Sequence, residues 1–388
     1  MSSADSAATP PPAITALTDL GNAAKCRRIV VKIGSALLVG PDGLPRGDWL
    51  AALVAELARA RADGQQVIVV SSGAIALGAA RLGLSHGGRG TLADAQAAAA
   101  VGQIALGGLW AECWRAHNTP AAQVLLTLED LEDRRRYLNA AATLGRLLDA
   151  GAVPVVNEND TVATEEIRFG DNDRLAARVA QAAGADAVVL LSDVDGLYDR
   201  APGQEGAALV PLVEGMTAHV RAMASASSSS GLGSGGMVSK LQAAEIAERA
   251  GIALAICNGR ADAPFARVTR DGIGTLFVPK RKTGARKAWL AGRMRTRGTL
   301  QVDAGAARAL ADGGSLLAAG IVEVEGSFSR GDLVLVADGE GRRLAHGLSE
   351  YDAADAMRII GHPSGSHREL LGYAPRSAVI HRDQLVML

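Results

Sequence analysis

The segment RRIVVKIGSALLVGPDGLPRGDWLAALVAELARARADGQQVIVVSSGAIALGAA (27–80) decides the fold. It opens on a β-branched run ended by Gly34. Asp48 then begins an amphipathic stretch with Leu50, Leu53, Val54 and Leu57 on one face, closed by Gly64. The pattern repeats at once, as an apolar strand from Val67 to Val70 runs into Ser71, Ser72, Gly73 and a second helical pattern. Strands that are apolar throughout are buried on both faces. Their alternation with helices predicts a mainly parallel sheet, joined by right-handed crossovers and covered on both sides. Outward from this unit, AAQVLL (121–126), VPVV (153–156), AVVLLSD (187–193) and IALAI (252–256) read as further strands, most of them separated by helical patterns. The fold class expected is α/β, a three-layer αβα sandwich whose ligands bind beyond the carboxyl ends of the strands.

The chain has 388 residues, enough for roughly two to three domains. Its texture changes near residue 279, where PKRKTGARKAWLAGRMRTR carries eight basic residues and no acid. Beyond it the strands are short and the turns glycine-rich, with one long helical candidate at most, as in a small barrel or sandwich. The division expected is a flexible tail over 1–24, a first domain over 25–280, a basic linker over 281–297 and a small, mostly β domain with the C-terminal tail over 298–388. The run ASASSSS (224–230) reads as a low-complexity insert. With 40 basic against 41 acidic residues and 48% hydrophobic ones, the balance argues against disorder, a polyanion partner and a membrane surface. No apolar run approaches the roughly 18 residues that would cross a bilayer. The start lacks the pattern of a signal peptide, and Cys26, Cys113 and Cys257 have no CxxC spacing, so a reducing cytoplasm fits best.

Chemistry concentrates on the strand-to-helix connections. SSSSGLGSGGMVSKLQAAEIAERAG (227–251) is a glycine-rich loop that delivers Lys240 at the start of an amphipathic helix. Backbone N–H groups and a lysine at a helix N-terminus bind phosphate, although a flexible loop before an ordinary helix has the same composition. Lys32 lies inside an apolar strand just before Gly34. It either meets an anion there or reaches solvent from an edge strand. Ser72 follows the second strand, as a substrate donor or a plain helix cap. NENDTVATEEIRFGDND (157–173) packs carboxylates and amides after VPVV. Such a cluster suits an ammonium group, lysines or Mg²⁺, or forms a polar loop with Asp173 capping the next helix. Asp193 and Asp195 end another strand, to meet a nucleotide or to shape a turn. No GxSxG elbow and no HExxH spacing occurs, which argues against covalent hydrolase and zinc chemistry. Two lysines, a glycine loop and an acidic loop on one sheet suggest phosphoryl transfer, which needs positioning and charge neutralisation more than a nucleophilic side chain.

The segments VVKIGS, SSGAIALG, PVVNENDTVAT, FGDNDRLAA, LLSDVDGLYD and SGLGSGGMVSKLQAA occur in the order found in the amino-acid kinase family, which residues 27 to about 279 resemble. Residues 298 onward, with LAHGLSEYDAADAMRIIG and LGYAPRSAVIHRD, resemble the PUA domain that some of its bacterial members carry. Within that family the pattern is most similar to members that phosphorylate the γ-carboxylate of L-glutamate with ATP and Mg²⁺, opening proline biosynthesis. The resemblance implies that Lys32 and Lys240 stabilise the moving phosphoryl group and that Asp173 holds them. It places Ser72, Asp160 and Asn172 on the substrate. Lys32, Gly34, Ser192, Asp193 and the run Ser234, Gly235, Gly236, Met237, Val238, Ser239 and Lys240 fall at the nucleotide. It names no metal ligand. It further implies a homo-oligomer, proline as feedback inhibitor and a γ-glutamyl phosphate reductase as the next enzyme. Arg200 and Ala201 depart from the family's small and acidic residues after LLSDVDGLYD, as does the serine-heavy run before Gly231.

Two alternatives stand beside this, besides a catalytically dead amino-acid sensor, against which the retained Lys32, Asp173 and Lys240 speak. One keeps the fold and changes the acceptor to another carboxylate or a phosphate. The other makes the chain an RNA-binding or regulatory protein through its PUA-like region. From Gly298 to Leu388 that region carries 12 acidic and 8 basic residues, a poor electrostatic footprint for nucleic acid.

Overall fold

The structure is a computed structural model and describes residues 13–162, 171–202, 204–227, 236–280, 296–373 and 376–388. The first half of the expected tail, nearly all of the basic linker, and Ser234 and Gly235 of the glycine loop lie outside these residues. The chain divides into two compact units, the larger made of Pro11–Asp133 and Asn139–Lys282, the smaller of Thr283–Leu388 together with Arg134–Leu138.

In the larger unit β1 (Arg28–Ile33), β2 (Gln66–Ser71), β3 (Ala121–Leu126), β4 (Val153–Glu158), β5 (Ala187–Ser192), β6 (Leu212–Glu214), β7 (Ala253–Asn258) and β8 (Thr275–Val278) form one eight-stranded sheet. Their order is β3-β4-β2-β1-β5-β7-β8-β6. Every neighbouring pair from β3 to β7 is parallel, whereas β8 runs antiparallel to β7 and parallel to β6. Sequence patterning does not mark the last two strands as such. β6 has three residues and β8 four, too few for a pattern to show. The strand order reverses at β1, with β2 on one side and β5 on the other, which opens a crevice at the carboxyl ends.

The two faces of β1 explain how a lysine survives in it. Ile29, Val31 and Ile33 enter a core with Leu50, Leu53, Val54 and Leu57 of one helix and Leu106, Trp110 and Trp114 of another. These belong to α2 (Gly47–Ala62) and α4 (Leu92–Arg115); α1 (Ser35–Leu38) and α3 (Ala74–Leu82) precede them in turn. Val30 and Lys32, alternating with those residues, point to the opposite layer. The expected tail is shorter than residue 24, because Ile14, Leu17 and Leu20 are buried in the same core. Asp19 fastens that segment by accepting from the N–H groups of Thr15 and Ala16 and pairing with Lys25 Nζ at 2.6 Å. Its polar composition hides three apolar residues at helical spacing.

The chain continues through α5 (Leu128–Glu132), α6 (Arg134–Asp149), α7 (Asp171–Ala183), α8 (Ala218–Ser227), α9 (Met237–Ala250) and α10 (Pro264–Thr269). The start of the serine run, expected as an insert, is the last turn of α8. α3 and α4 approach so closely that a Cβ on Gly78 would stand 1.7 Å from the carbonyl oxygen of Ala98, and one on Gly102 1.7 Å from that of Ala74.

The smaller unit is a five-stranded sheet of β9 (Gly298–Val302), β10 (Ile321–Gly326), β11 (Leu333–Asp338), β12 (Arg343–Leu348) and β13 (Leu385–Met387), ordered β10-β9-β11-β12-β13. It closes on its own core around Leu300, Val302, Ile321, Val334, Val336 and Ile380. Among the described residues, three short helices, Ala304–Ala311, Ala353–Ile359 and His367–Leu371, take the place of the one long helix that patterning allowed.

The helix crossing gives a direct expectation. Gly78→Ala and Gly102→Ala each lower stability by about 2 to 3 kcal/mol in urea unfolding, since backbone atoms must move. Gly108→Ala, on an open face of α4 where a Cβ meets nothing within 4 Å, leaves stability equal or slightly raised. Unchanged stability in Gly102→Ala would show the helices to be farther apart.

Candidate active site

Lys32 is the fifth residue of β1, paired with Val70 of β2 and Leu190 of β5, so it lies in the middle of the sheet. It is only 7% exposed. The edge-strand reading is thereby excluded. α7 packs against β1 on the face that Lys32 uses, and its third residue is Asp173, 1% exposed. Lys32 Nζ stands 2.5 Å from Asp173 Oδ1. Lys240, fourth residue of α9 and also buried, places Nζ 3.3 Å from Asp173 Oδ2, and the Ser239 hydroxyl donates to that oxygen at 3.1 Å. Two cations thus share one anion, which leaves an excess positive charge at the carboxyl ends of the strands. Asp173 is engaged inside its helix, not as a cap before it.

Burial works against the charged form of Asp173 and is the largest influence on it, but Lys32 and Lys240, with hydrogen bonds from Lys32 and Ser239, outweigh it and hold the carboxyl below its ordinary range. The group is therefore ionised throughout the neutral range.

Gly34 follows directly. A Cβ there would meet only Lys32 Nζ at 3.8 Å and the Leu191 carbonyl oxygen at 4.0 Å, so the missing side chain leaves space open in front of the ammonium group. Gly236 precedes the first turn of α9, where Met237, Val238, Ser239 and Lys240 follow. The positive end of that helix, with Lys32 and Lys240 beside it, suits an anion. On β5, the strand beside β1, Ser192 donates to Asp193 Oδ1 at 3.1 Å. Asp195 is occupied by Arg267 at 3.1 Å and Tyr198 at 3.4 Å, which supports the turn-shaping reading for it.

A second group of polar side chains adjoins the first through α7. Asn172 Nδ2 donates to Ser72 Oγ at 2.8 Å and to Asn157 Oδ1 at 3.3 Å. Ser72 is not the cap of α3. Gly73 holds that position at φ +117°, and a Cβ on it would come 2.9 Å from Leu38. Asp160 is nearly buried and lines a cleft of about 290 Å³ with Gln103, Gln123, Glu158 and Thr161. The structure therefore brings Lys32, Asp173, Ser239 and Lys240 together, and Ser72 with Asn172. Asn157 and Gln103 join the second group without having been singled out as site residues. Asn157 sits in the acidic loop's sequence; Gln103 lies within an Ala- and Gly-rich helix, and an amide in such a helix was the one available signal. Among the described residues no three His, Cys, Asp or Glu side chains gather as a metal cage.

The model of the amino acid kinase family matches residues 27–258, and that of the PUA domain matches residues 298–371. A glutamate 5-kinase of Novosphingobium aromaticivorans is 67% identical over 97% of this chain and 100% of its own length. Glutamate 5-kinases of Sphingopyxis alaskensis and Zymomonas mobilis are 60% and 53% identical, over 94% of this chain in each case and 98% and 92% of theirs.

The ion cluster carries a stability expectation. Removing the carboxylate in Asp173→Ala leaves two buried ammonium groups facing each other and costs roughly 3 kcal/mol or more at pH 7. Because the folded pKa lies below the unfolded one, near 3.9, the contribution is full above that value and is lost as pH falls through the folded value. Urea unfolding of the two proteins from pH 7 down to 3 checks this, and the gap between them should narrow only in the acid range.

Proposed function

The chain belongs to the amino acid kinase family and ends in a PUA domain, and from that premise we infer that it transfers the γ-phosphoryl group of ATP to the γ-carboxylate of L-glutamate. The products are ADP and γ-glutamyl phosphate, the first step of proline biosynthesis. The observation that carries the reading is the pair Lys32 and Lys240 held on one buried aspartate at the strands' carboxyl ends. Near-full-length likeness to glutamate 5-kinases supports the acceptor.

The nucleotide lies with its phosphates toward Gly34, Ser192, Asp193 and the loop from Ser234 to Lys240, and its γ-phosphoryl group between the two lysines. Glutamate lies toward Ser72, Asp160 and Asn172. As the phosphoryl group passes from ATP to the carboxylate, its equatorial oxygens keep their negative charge, and the two ammonium groups neutralise it from fixed positions. They need no reorganisation, since Asp173 already holds them. The attacking carboxylate is ionised at neutral pH, so no base has to take a proton. Asp160 and the amide of Asn172 hold the amino acid in line, and the Ser72 hydroxyl completes that wall. Mg²⁺ would enter this site with ATP and be held by way of the nucleotide, since both Asp173 oxygens are committed to Lys32 and Lys240 and that carboxylate would not be its ligand. When bound it supplies further charge neutralisation.

No described helix is long and apolar enough to cross a membrane, and the reading places the enzyme in the cytoplasm. A homo-oligomer, feedback inhibition by proline and handover of the labile acyl phosphate to a γ-glutamyl phosphate reductase belong to the same reading. The acidic balance of residues 298–388 favours a structural or regulatory role for the PUA domain over RNA binding.

Trapping γ-glutamyl phosphate with hydroxylamine tests the acceptor. With ATP and Mg²⁺, hydroxamate forms from L-glutamate and not from N-acetylglutamate or aspartate, and Lys240→Ala lowers kcat by about 10² to 10³. Turnover of a different acceptor would keep the family and discard the substrate.

A further inference from the structure

The amide groups beside the glutamate site form a chain with a direction. Asn157 Nδ2 donates to Gln103 Oε1 at 2.8 Å, so Asn157 turns its Oδ1 toward Asn172, whose Nδ2 donates to it and to Ser72 Oγ. Both donor hydrogens of Asn172 are then committed, and its Oδ1, buried, has no partner among the described residues. A buried carbonyl oxygen without a partner is costly and points to an absent donor. Such a chain can also be satisfied in the opposite sense, with Gln103 donating, Asn157 donating onward, and the Asn172 amide hydrogens turned to the ligand. Gln103 turns its Oε1, not its Nε2, toward Asn157, and this orientation selects the first sense.

We propose that Gln103 is a positioning residue that fixes the sense of this relay, so that Asn172 presents an acceptor oxygen to the α-ammonium group of the substrate, beside the carboxylate of Asp160. The proposal rests on the assignment of L-glutamate as acceptor and adds the group of the substrate that is read and the residue that sets the reading. Gln103 follows Gly102, whose contact with the Ala74 carbonyl oxygen fixes α4 against the start of α3. The same helix crossing therefore places Gln103 at one end of the relay and Ser72 at the other. Gln103 also lines the cleft that Asp160 enters, so its side chain has room for an isosteric replacement.

Gln103→Met removes the acceptor, and Gln103→Glu keeps an acceptor and, when ionised, offers no donor. For each variant and the wild type, the KM for L-glutamate, the KM for ATP and the inhibition constant of glutarate, which lacks the amino group, are measured at pH 8. Gln103→Met raises the glutamate KM roughly tenfold, as expected for a lost hydrogen bond to a charged group. The ATP KM and the glutarate constant stay within about twofold. Gln103→Glu keeps the glutamate KM within about threefold. A glutamate KM unmoved by Gln103→Met overturns the proposal, and so does a glutarate constant that rises in parallel. Should Gln103→Met fail to fold, Gln103→Glu decides alone, since the opposite sense needs a donor at position 103 and its glutamate KM would rise about tenfold. A wild-type protein inactive on L-glutamate would instead remove the acceptor assignment and this proposal with it, a result distinct from an active enzyme indifferent to residue 103.

Discussion

Asp173 is the interaction on which the rest depends. A carboxylate and two ammonium groups are each costly to bury, and here none is stable without the others: Lys32 comes from the central strand, Asp173 from α7 and Lys240 from α9. The sheet must be covered on that face for the cluster to be dry, and the cluster must be complete for the face to close. The net positive charge that remains is aimed at the carboxyl end of β1, where Gly34 leaves the approach open. Stability and chemistry therefore share one constraint. A charged group placed for phosphoryl transfer is tolerated in an apolar layer because an aspartate holds it, and that same aspartate fixes its position for the reaction.

The acceptor side depends on a different device. Gly78 and Gly102 let α3 and α4 approach to backbone contact, and this sets the distance between Ser72, just before α3, and Gln103, one residue beyond Gly102. Asn172 neighbours Asp173 on α7, so one turn of helix faces both halves of the site. The charge cluster and the amide relay are thus coupled through α7, and a shift in either is felt by the other.

Much of this was legible in the sequence. The run from Val30 to Ile33, Lys32 apart, and its repeat from Val67 to Val70 have the apolar character of strands buried on both faces, and a lysine within the first is costly enough to draw attention. The glycines before Lys240 and the density of carboxylates after VPVV located the remaining connections. Pairings across the sheet were not legible, because only the tertiary fold brings residue 32 to residue 173 or residue 103 to residue 157. Periodicity also failed at short elements. β6 and β8 have too few residues to show a period, and Ile14, Leu17 and Leu20 pack into the core from a stretch whose Ser, Ala and Pro content reads as a tail.

The central claim is that the two lysines act on charge in the moving phosphoryl group more than on the resting nucleotide. It is tested most directly by the affinity of the enzyme for ADP, aluminium fluoride and L-glutamate together, a mimic of the transferring phosphoryl group, compared with its affinity for ATP alone, in the wild type and in Lys32→Ala and Lys240→Ala. The account predicts that each substitution weakens the mimic by about 10² or more and ATP by less than about tenfold. Equal weakening of both would mean that the lysines serve only to bind the nucleotide, and would contradict it.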